Sequence, residues 1–220
     1  MKYPSWFQTL RRQYKKWRLG PRSSNDHATH IPVLVALGLL TEVRSVLEFG
    51  SGTFSTLTFL NREAFPNLET IRSFENDAEW YAKVKEQTDH DPRITLNYVD
   101  GPLSTLVPTL DLSAYDLIFI DDATKATLRA ETIRAVVAHC NARNMIVVHD
   151  FEVGTYQRAA EAAAQRFRMT AFNPNTGVLW QGRRLSHAAL SRVNRVLRRQ
   201  SMLDLTDIHS WHQVLMPIHR

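Results

Sequence analysis

From Ser45 onward, short apolar runs alternate with helical patterns, an order that points to a parallel sheet covered by helices. Ser45 to Phe49 reads as a strand and Thr53 to Phe65 as the helix after it. Ile71 to Glu75, Ile94 to Tyr98, Tyr115 to Asp121 and Asn144 to Asp150 read as further strands. Helical patterns over Asn76 to Thr88, Thr124 to Cys140 and Gly154 to Phe167 separate or follow them. Tyr115 to Asp121 is almost continuously apolar, as a strand buried on both faces must be. The pattern then changes. Arg168 to Phe172 and Val178 to Gln181 are two short strands joined by Asn173-Pro174-Asn175-Thr176-Gly177, too short for a helical crossover, so this pair is expected to be antiparallel.

The segment Val46 to Thr56 carries the clearest chemical signal. A strand ends, Gly50 and Gly52 follow at alternate positions, and a helix begins at Thr53. Glycine permits a tight turn and a close backbone approach, and the helix start offers free N–H groups. A dinucleotide-binding loop wants a third glycine where Ser55 stands, which argues against a pyrophosphate cofactor. Glu48 argues the same way, because a carboxylate there repels a pyrophosphate and suits a cationic methionine group. Glu75 closes the second strand, and its two acceptor oxygens match the vicinal diol of a ribose. A glycine pair alone would mean an ordinary strand-to-helix turn, but Glu48 before it, Glu75 after it and the strand order around it favour a ligand site.

Glu48-Phe49-Gly50-Ser51-Gly52, Glu75 and the terminal hairpin together resemble the class I S-adenosylmethionine-dependent methyltransferases, over Val46 to Gly182. The resemblance implies a three-layer, Rossmann-like α/β sandwich with a mostly parallel seven-stranded sheet ending in an antiparallel hairpin. It implies S-adenosylmethionine as cofactor, with Glu48 and Gly50 near the methionine part and Glu75 on the ribose. Asp100 and Gly101 would lie near the adenine, while Ser51, Gly52, Ser55 and Asp121 would complete the pocket. An Asp-Gly pair after a strand is also a common turn.

Two strands end in acids, Asp121-Asp122 and His149-Asp150, at the edge where open α/β sheets bind ligands. Strand alternation suggests that one residue of each pair faces the cleft. The pattern is similar to the catechol O-methyltransferase-like and sugar-modifying subgroup, in which acids matching Asp121 and Asp150 hold a divalent metal such as Mg²⁺. The chain departs from that pattern at Phe151, where a third ligand is expected, and at Lys125, one residue later than the subgroup's lysine base. Direct base catalysis by His149 or Asp121 is the alternative. Capping of the following helices by Asp121 and Asp150 is the structural one, and His149 reads equally as a hydrogen-bonded core residue. Lys125, His27 and His30 are candidate substrate-side residues. The two histidines stand three apart, as on one side of a helical turn, though surface or capping roles also suit them.

The fractions of hydrophobic (44%) and aromatic (10%) residues exclude a disordered chain, and 220 residues suit one α/β domain. Charge is uneven: Lys2 to Arg22 is basic with no acid before Asp26, and Arg183 to Arg199 forms a second basic stretch. Residues 1–40 read as a basic helical segment acting as lid or interface. Residues 41–183 read as the cofactor-binding domain, and 184–220 as a basic helical extension. Trp6, Leu10, Tyr14 and Trp17 share one helical face, expected to pack on the domain or a dimer mate rather than on an anionic membrane. Leu190, Val193, Val196 and Leu197 give Leu185 to Leu197 a similar pattern. Nothing beyond charge suggests nucleic acid. A single cysteine, Cys140, and no secretory signal fit a cytoplasmic protein.

The expectation is therefore methyl transfer to oxygen on a small-molecule acceptor such as a sugar or secondary metabolite. Asp121-Asp122-Ala123-Thr124 differs from the Asn/Asp-Pro-Pro-aromatic motif of nitrogen methylation. A nicotinamide-dependent oxidoreductase and a non-catalytic cofactor- or partner-binding protein are the alternatives.

Overall fold

The computed structural model describes residues 26–123, 125–162, 166–172, 175–181, 185–200 and 203–219. The aromatic stripe Trp6, Leu10, Tyr14 and Trp17 lies outside the described residues. Seven strands, β1 (Ser45–Phe49), β2 (Thr70–Glu75), β3 (Ile94–Tyr98), β4 (Leu117–Ile120), β5 (Met145–Val148), β6 (Arg168–Phe172) and β7 (Thr176–Trp180), form one sheet of order β3-β2-β1-β4-β5-β7-β6. The first five pair in parallel, and β7 lies antiparallel between β5 and β6. The antiparallel ending read from the short Asn173–Gly177 connection is thus present. Strand order reverses between β1 and β4, which places a ligand crevice beyond their carboxyl ends.

The helices are α1 (Ile31–Leu40), α2 (Ser55–Leu60), α3 (Ala78–Thr88), α4 (Ala126–His139), α5 (Gly154–Glu161), α6 (His187–Arg199) and α7 (Ile208–His219). Alternation along the strands divides the core in two. Val46, Leu117, Phe119, Met145 and Val147 face α1, α6 and α7, whereas Leu47, Ile118, Ile120, Ile146 and Val148 face α4 and α5. Helix α1 is buried from Ile31 to Gly38 because the sheet lies under it and α7 packs over it. That explains a helix that is apolar on every side. Helices α1, α6 and α7 thus share one core with the sheet. Among the described residues no helix is long and apolar enough to cross a membrane.

Two helices are shorter than their patterns. α2 starts at Ser55 and ends at Leu60, where the Asn61 side chain accepts from the N–H groups of Glu63 and Ala64 and turns the chain before Pro66. α5 ends at Glu161 rather than Phe167. α3 begins at Ala78, after Asp77 has capped it by accepting from the Trp80 N–H.

Gly38 marks the tightest contact of α1. A Cβ there would run into the Ala64 carbonyl. The clash is with backbone, so we expect overpacking at the upper end, about 3 kcal/mol, of which the helix preference of alanine over glycine recovers roughly 1, leaving Gly38→Ala about 2 kcal/mol less stable. Thermal unfolding followed by circular dichroism checks this, and a midpoint equal to or above the parent's contradicts it.

Candidate functional site

Beyond β1 the chain turns through Gly50, whose φ of +87° favours glycine. The close approach here is by protein. A Cβ on Gly50 would stand 2.6 Å from the Asp121 carbonyl and the Asp122 nitrogen, so its absence lets the ends of β1 and β4 meet. The Gly50 N–H donates to Phe74 O, and the Asp121 N–H donates to Phe49 O.

Glu48 corrects an expectation. Rather than facing a sulfonium, it is wholly buried beneath the loop, because its position on β1 points it inward among hydroxyls. Ser55 donates to its Oε1 at 2.6 Å, and Thr56 and Ser73 donate to Oε2 at 2.7 and 2.5 Å. The Gly52 N–H donates to the Thr56 hydroxyl in turn. The carboxyl therefore braces the turn. Burial pushes its pKa up to about 7, against the three hydroxyl donors that favour the charged form.

Glu75 stands at the mouth. Its Oε1 accepts from the N–H groups of Asn76 and Asp77, both at 2.8 Å, and its Oε2 faces the Ser51 hydroxyl at 3.3 Å. Burial holds its pKa above the usual range. The Asn76 side chain donates to the carbonyl of Gly101, so Glu75, Ser51 and Gly101 form one rim, while Asp100 is exposed.

The second cluster lies at the ends of β4 and β5. Asp121 Oδ2 lies 3.0 Å from His149 Nδ1, and His149 Nε2 lies 2.8 Å from the Thr29 hydroxyl. Burial disfavours the imidazolium, but the charge and hydrogen bond of Asp121, aided by Asp150, outweigh it and raise the His149 pKa. In the same way His149 and Arg129 overcome the desolvation of Asp121 and hold its pKa low. His30 packs edge-on against His149 with ring centroids 4.6 Å apart. It is buried, with neither ring nitrogen hydrogen-bonded, and burial followed by the neighbouring His149 pushes its pKa down to about 3.

Alternation separates Asp121 from Asp122, whose Oδ2 accepts from Thr132 on α4 and whose pKa burial lifts to about 7. It does not separate His149 from Asp150. A φ of +54° swings Asp150 back toward the same cluster, so both residues converge on Asp121 and Arg129. Neither Asp121 nor Asp150 caps a helix: α4 and α5 begin after Lys125 and Val153 without side-chain caps. His27 is exposed whereas His30 is buried, because a 3-10 turn at Asp26–Ala28 ends between them and breaks the shared helical face. Lys125 is exposed at the start of α4.

Sequence reasoning missed Arg129 and Thr29. Arg129 is buried, with Nη1 2.9 Å from Asp121 Oδ1 and 3.2 Å from Asp150 Oδ2. The signal was an arginine one turn into the helix that follows a strand ending in two acids. The acids expected to hold Mg²⁺ therefore do not fit such an ion: a guanidinium already bridges them, and Phe151 supplies no oxygen. His30, Asp121 and His149 each offer a ligand atom within 4.8 Å of the others, and this is the donor cluster found among the described residues.

No family model and no curated protein matches the chain. Solved structures do. A Staphylococcus aureus protein assigned as a caffeoyl-CoA O-methyltransferase shares 14% identity over 81% of this chain and 93% of its own, with a TM-score of 0.51. The SAH-bound Podospora anserina methyltransferase PaMTH1 shares 13% over 83% and 98%, with a TM-score of 0.54. Spermidine synthase from Thermotoga maritima shares 15% over 77% and 67%, with a TM-score of 0.50. At these identities the likeness is one of fold.

The buried Glu48 gives a pH test of the loop. Its folded pKa of about 7 lies above the unfolded 4.5, so its contribution is fully present below pH 4.5 and is lost as pH rises through 7. Between about pH 5 and pH 8 the parent should lose up to about 3 kcal/mol relative to Glu48→Gln, at 1.36 kcal/mol per pKa unit. Urea unfolding at both pH values measures the gap, and a constant gap refutes the assignment.

Proposed function

We propose that this chain transfers a methyl group from S-adenosylmethionine to a hydroxyl oxygen of a small molecule such as a sugar or secondary metabolite. The observation that carries the reading is the Asp121–His149 pair, held at the carboxyl edge of β4 and β5 beside the turn and rim formed by Gly50, Ser51 and Glu75. The fold it shares with methyltransferases supports the cofactor.

Glu75 takes the ribose diol, with its orientation fixed by two backbone N–H groups. Ser51 and Gly101 flank Glu75 and would complete the hold on the cofactor, which when bound would supply the methyl group. Transfer is an in-line displacement: the acceptor oxygen forms a bond to the methyl carbon as the carbon–sulfur bond breaks, and the hydroxyl proton must leave. His149 receives that proton at Nε2 by way of the Thr29 hydroxyl, which takes the acceptor's proton as it passes its own to the ring, while Asp121 holds Nδ1, orients the ring and stabilises the imidazolium. Thr29 holds the far nitrogen and links the base to the segment before α1. The unpartnered nitrogens of His30 supply a hydrogen-bonding group for the acceptor, since a buried imidazole without partners is costly until something fills the space. A general base must be neutral to act, so activity should rise with pH through a value above the ordinary histidine 6.5. Asp121→Asn should move that break toward acid.

Calorimetric titration with S-adenosylhomocysteine and with NAD, followed by an acceptor screen with tritiated cofactor, tests the reading. Glu75→Ala should weaken S-adenosylhomocysteine at least about tenfold, the loss of a charged hydrogen-bonding partner. His149→Ala should lower kcat about 10²–10⁴-fold with little change in that affinity. Binding of NAD alone would defeat the proposal. Cofactor binding without transfer to any acceptor would favour a non-catalytic role.

A further inference from the structure

Arginine carries five N–H donors in a rigid planar fork, and all three nitrogens of Arg129 face oxygens of the protein. Nε donates to the Asp122 carbonyl at 2.5 Å. Nη1 faces Asp121 Oδ1 at 2.9 Å and Asp150 Oδ2 at 3.2 Å. Nη2 donates to the carbonyls of Asp121 and Ala123, both at 3.2 Å. The guanidinium also lies 5.3 Å from the centre of the Tyr156 ring. The four carboxylate oxygens are engaged as well. His149 faces the second oxygen of Asp121, and the Asn175 side chain donates to the second oxygen of Asp150 at 3.1 Å.

An independent observation concerns the next residue. Phe151 is buried, its N–H donates to Asn175 O at 2.6 Å, and its ring lies so close over Gly177 that a Cβ there would overlap it. The position that could have offered a further oxygen is filled by an apolar ring with a glycine made to receive it.

We infer that Arg129 is the resident cation of this centre, standing in place of a divalent ion between Asp121 and Asp150. Two carboxylates this close repel one another unless a positive charge lies between them, and a buried guanidinium with two short contacts supplies it. The exchange is not neutral for the chemistry. A bound ion keeps open coordination positions that can polarise an acceptor oxygen, whereas every nitrogen of this buried guanidinium is already turned to protein oxygens. Arg129 is a positioning residue: it fixes the two acids and ties them to the loop after β4, and the acceptor's proton falls to Asp121 and His149. The assignment of the cation does not depend on which group is transferred.

Titration with Mn²⁺, read by water-proton relaxation and by the free-ion electron spin resonance signal, tests the inference on the full chain. The parent should bind no Mn²⁺ at micromolar concentrations. Arg129→Met combined with Phe151→Asn, which removes the cation and restores an oxygen, should bind one Mn²⁺ at least about tenfold more tightly than the parent, as an oxygen donor set allows. Adding Asp150→Asn should abolish it. Circular dichroism and thermal unfolding establish that the variants are folded. A folded double variant that binds no better than the parent overturns the inference. So does stoichiometric Mn²⁺ or Zn²⁺ binding by the parent that is lost in Asp121→Asn, Asp150→Asn or His30→Ala. The parent titration alone remains decisive against it should the double variant not fold.

Discussion

The molecule is organised around the meeting of two strand ends. β1 and β4 are neighbours in the sheet but run into different connections, so their carboxyl ends would splay if side chains stood between them. Gly50 removes that obstacle and lets the peptide of Asp121 approach to a distance no Cβ allows. Everything that gives the crevice a chemical character follows from this contact. It sets where Asp121 emerges, where the loop to α2 turns, and how far the rim at Glu75 stands from the pair at Asp121 and His149. Backbone accommodates backbone here, and the contact of the loop with Glu75 begins one residue later, at Ser51.

The acids around this junction show how one fold shifts the pKa values of carboxyl groups in opposite directions. Glu48 and Asp122 are surrounded by hydroxyls and apolar side chains, so burial dominates and lifts both pKa values to about 7. Asp121, an immediate neighbour of Asp122, is held low because its oxygens face an arginine and a histidine rather than hydroxyls. Hydroxyl donors stabilise a carboxylate less than a full positive charge does. The alternation of β4 thus sorts two adjacent acids into a brace against α4 whose pKa is raised and a group beside His149 whose pKa is lowered. A charged Asp121 is also what raises His149 despite its burial, so the two states are coupled across the ends of β4 and β5.

The sheet was legible because its strands are short apolar runs with turn residues at fixed places, and the closing hairpin because five residues cannot make a crossover. The places of Gly50, Glu75, Asp121 and His149 at strand ends were legible because glycines and polar groups there break an apolar pattern. Arg129 was not, since an arginine on a predicted helix carries no mark of burial until its partners are known, and its partners lie on two other elements. Thr29 was hidden for the same reason: its bond to His149 spans 120 positions. Glu48 was found but misplaced. The motif identifies the residue, while the direction of its side chain depends on Ser55, Thr56 and Ser73, whose hydroxyls form a cage only after β2 has paired with β1. The depth of α1 required knowledge of α7, which packs over it from the far end of the chain.

The left-handed backbone at Asp150 joins these observations. A residue with a Cβ adopts φ near +54° at some energetic cost, and such positions persist where the surroundings over-determine them. Here three bonds do so. Arg129 holds one oxygen, Asn175 holds the other, and the Asp150 carbonyl accepts from the Val153 N–H at the start of α5. In the ordinary strand conformation Asp150 would point away from Asp121, and Arg129 would face a single carboxylate. The turn therefore converts an alternating sequence into a convergent one, placing two acids and one base on the same side of the sheet. A fold shared by many chemistries acquires a particular one through such departures from regular geometry, and in this chain the departure is fixed by an arginine that a strand-by-strand reading has no reason to notice.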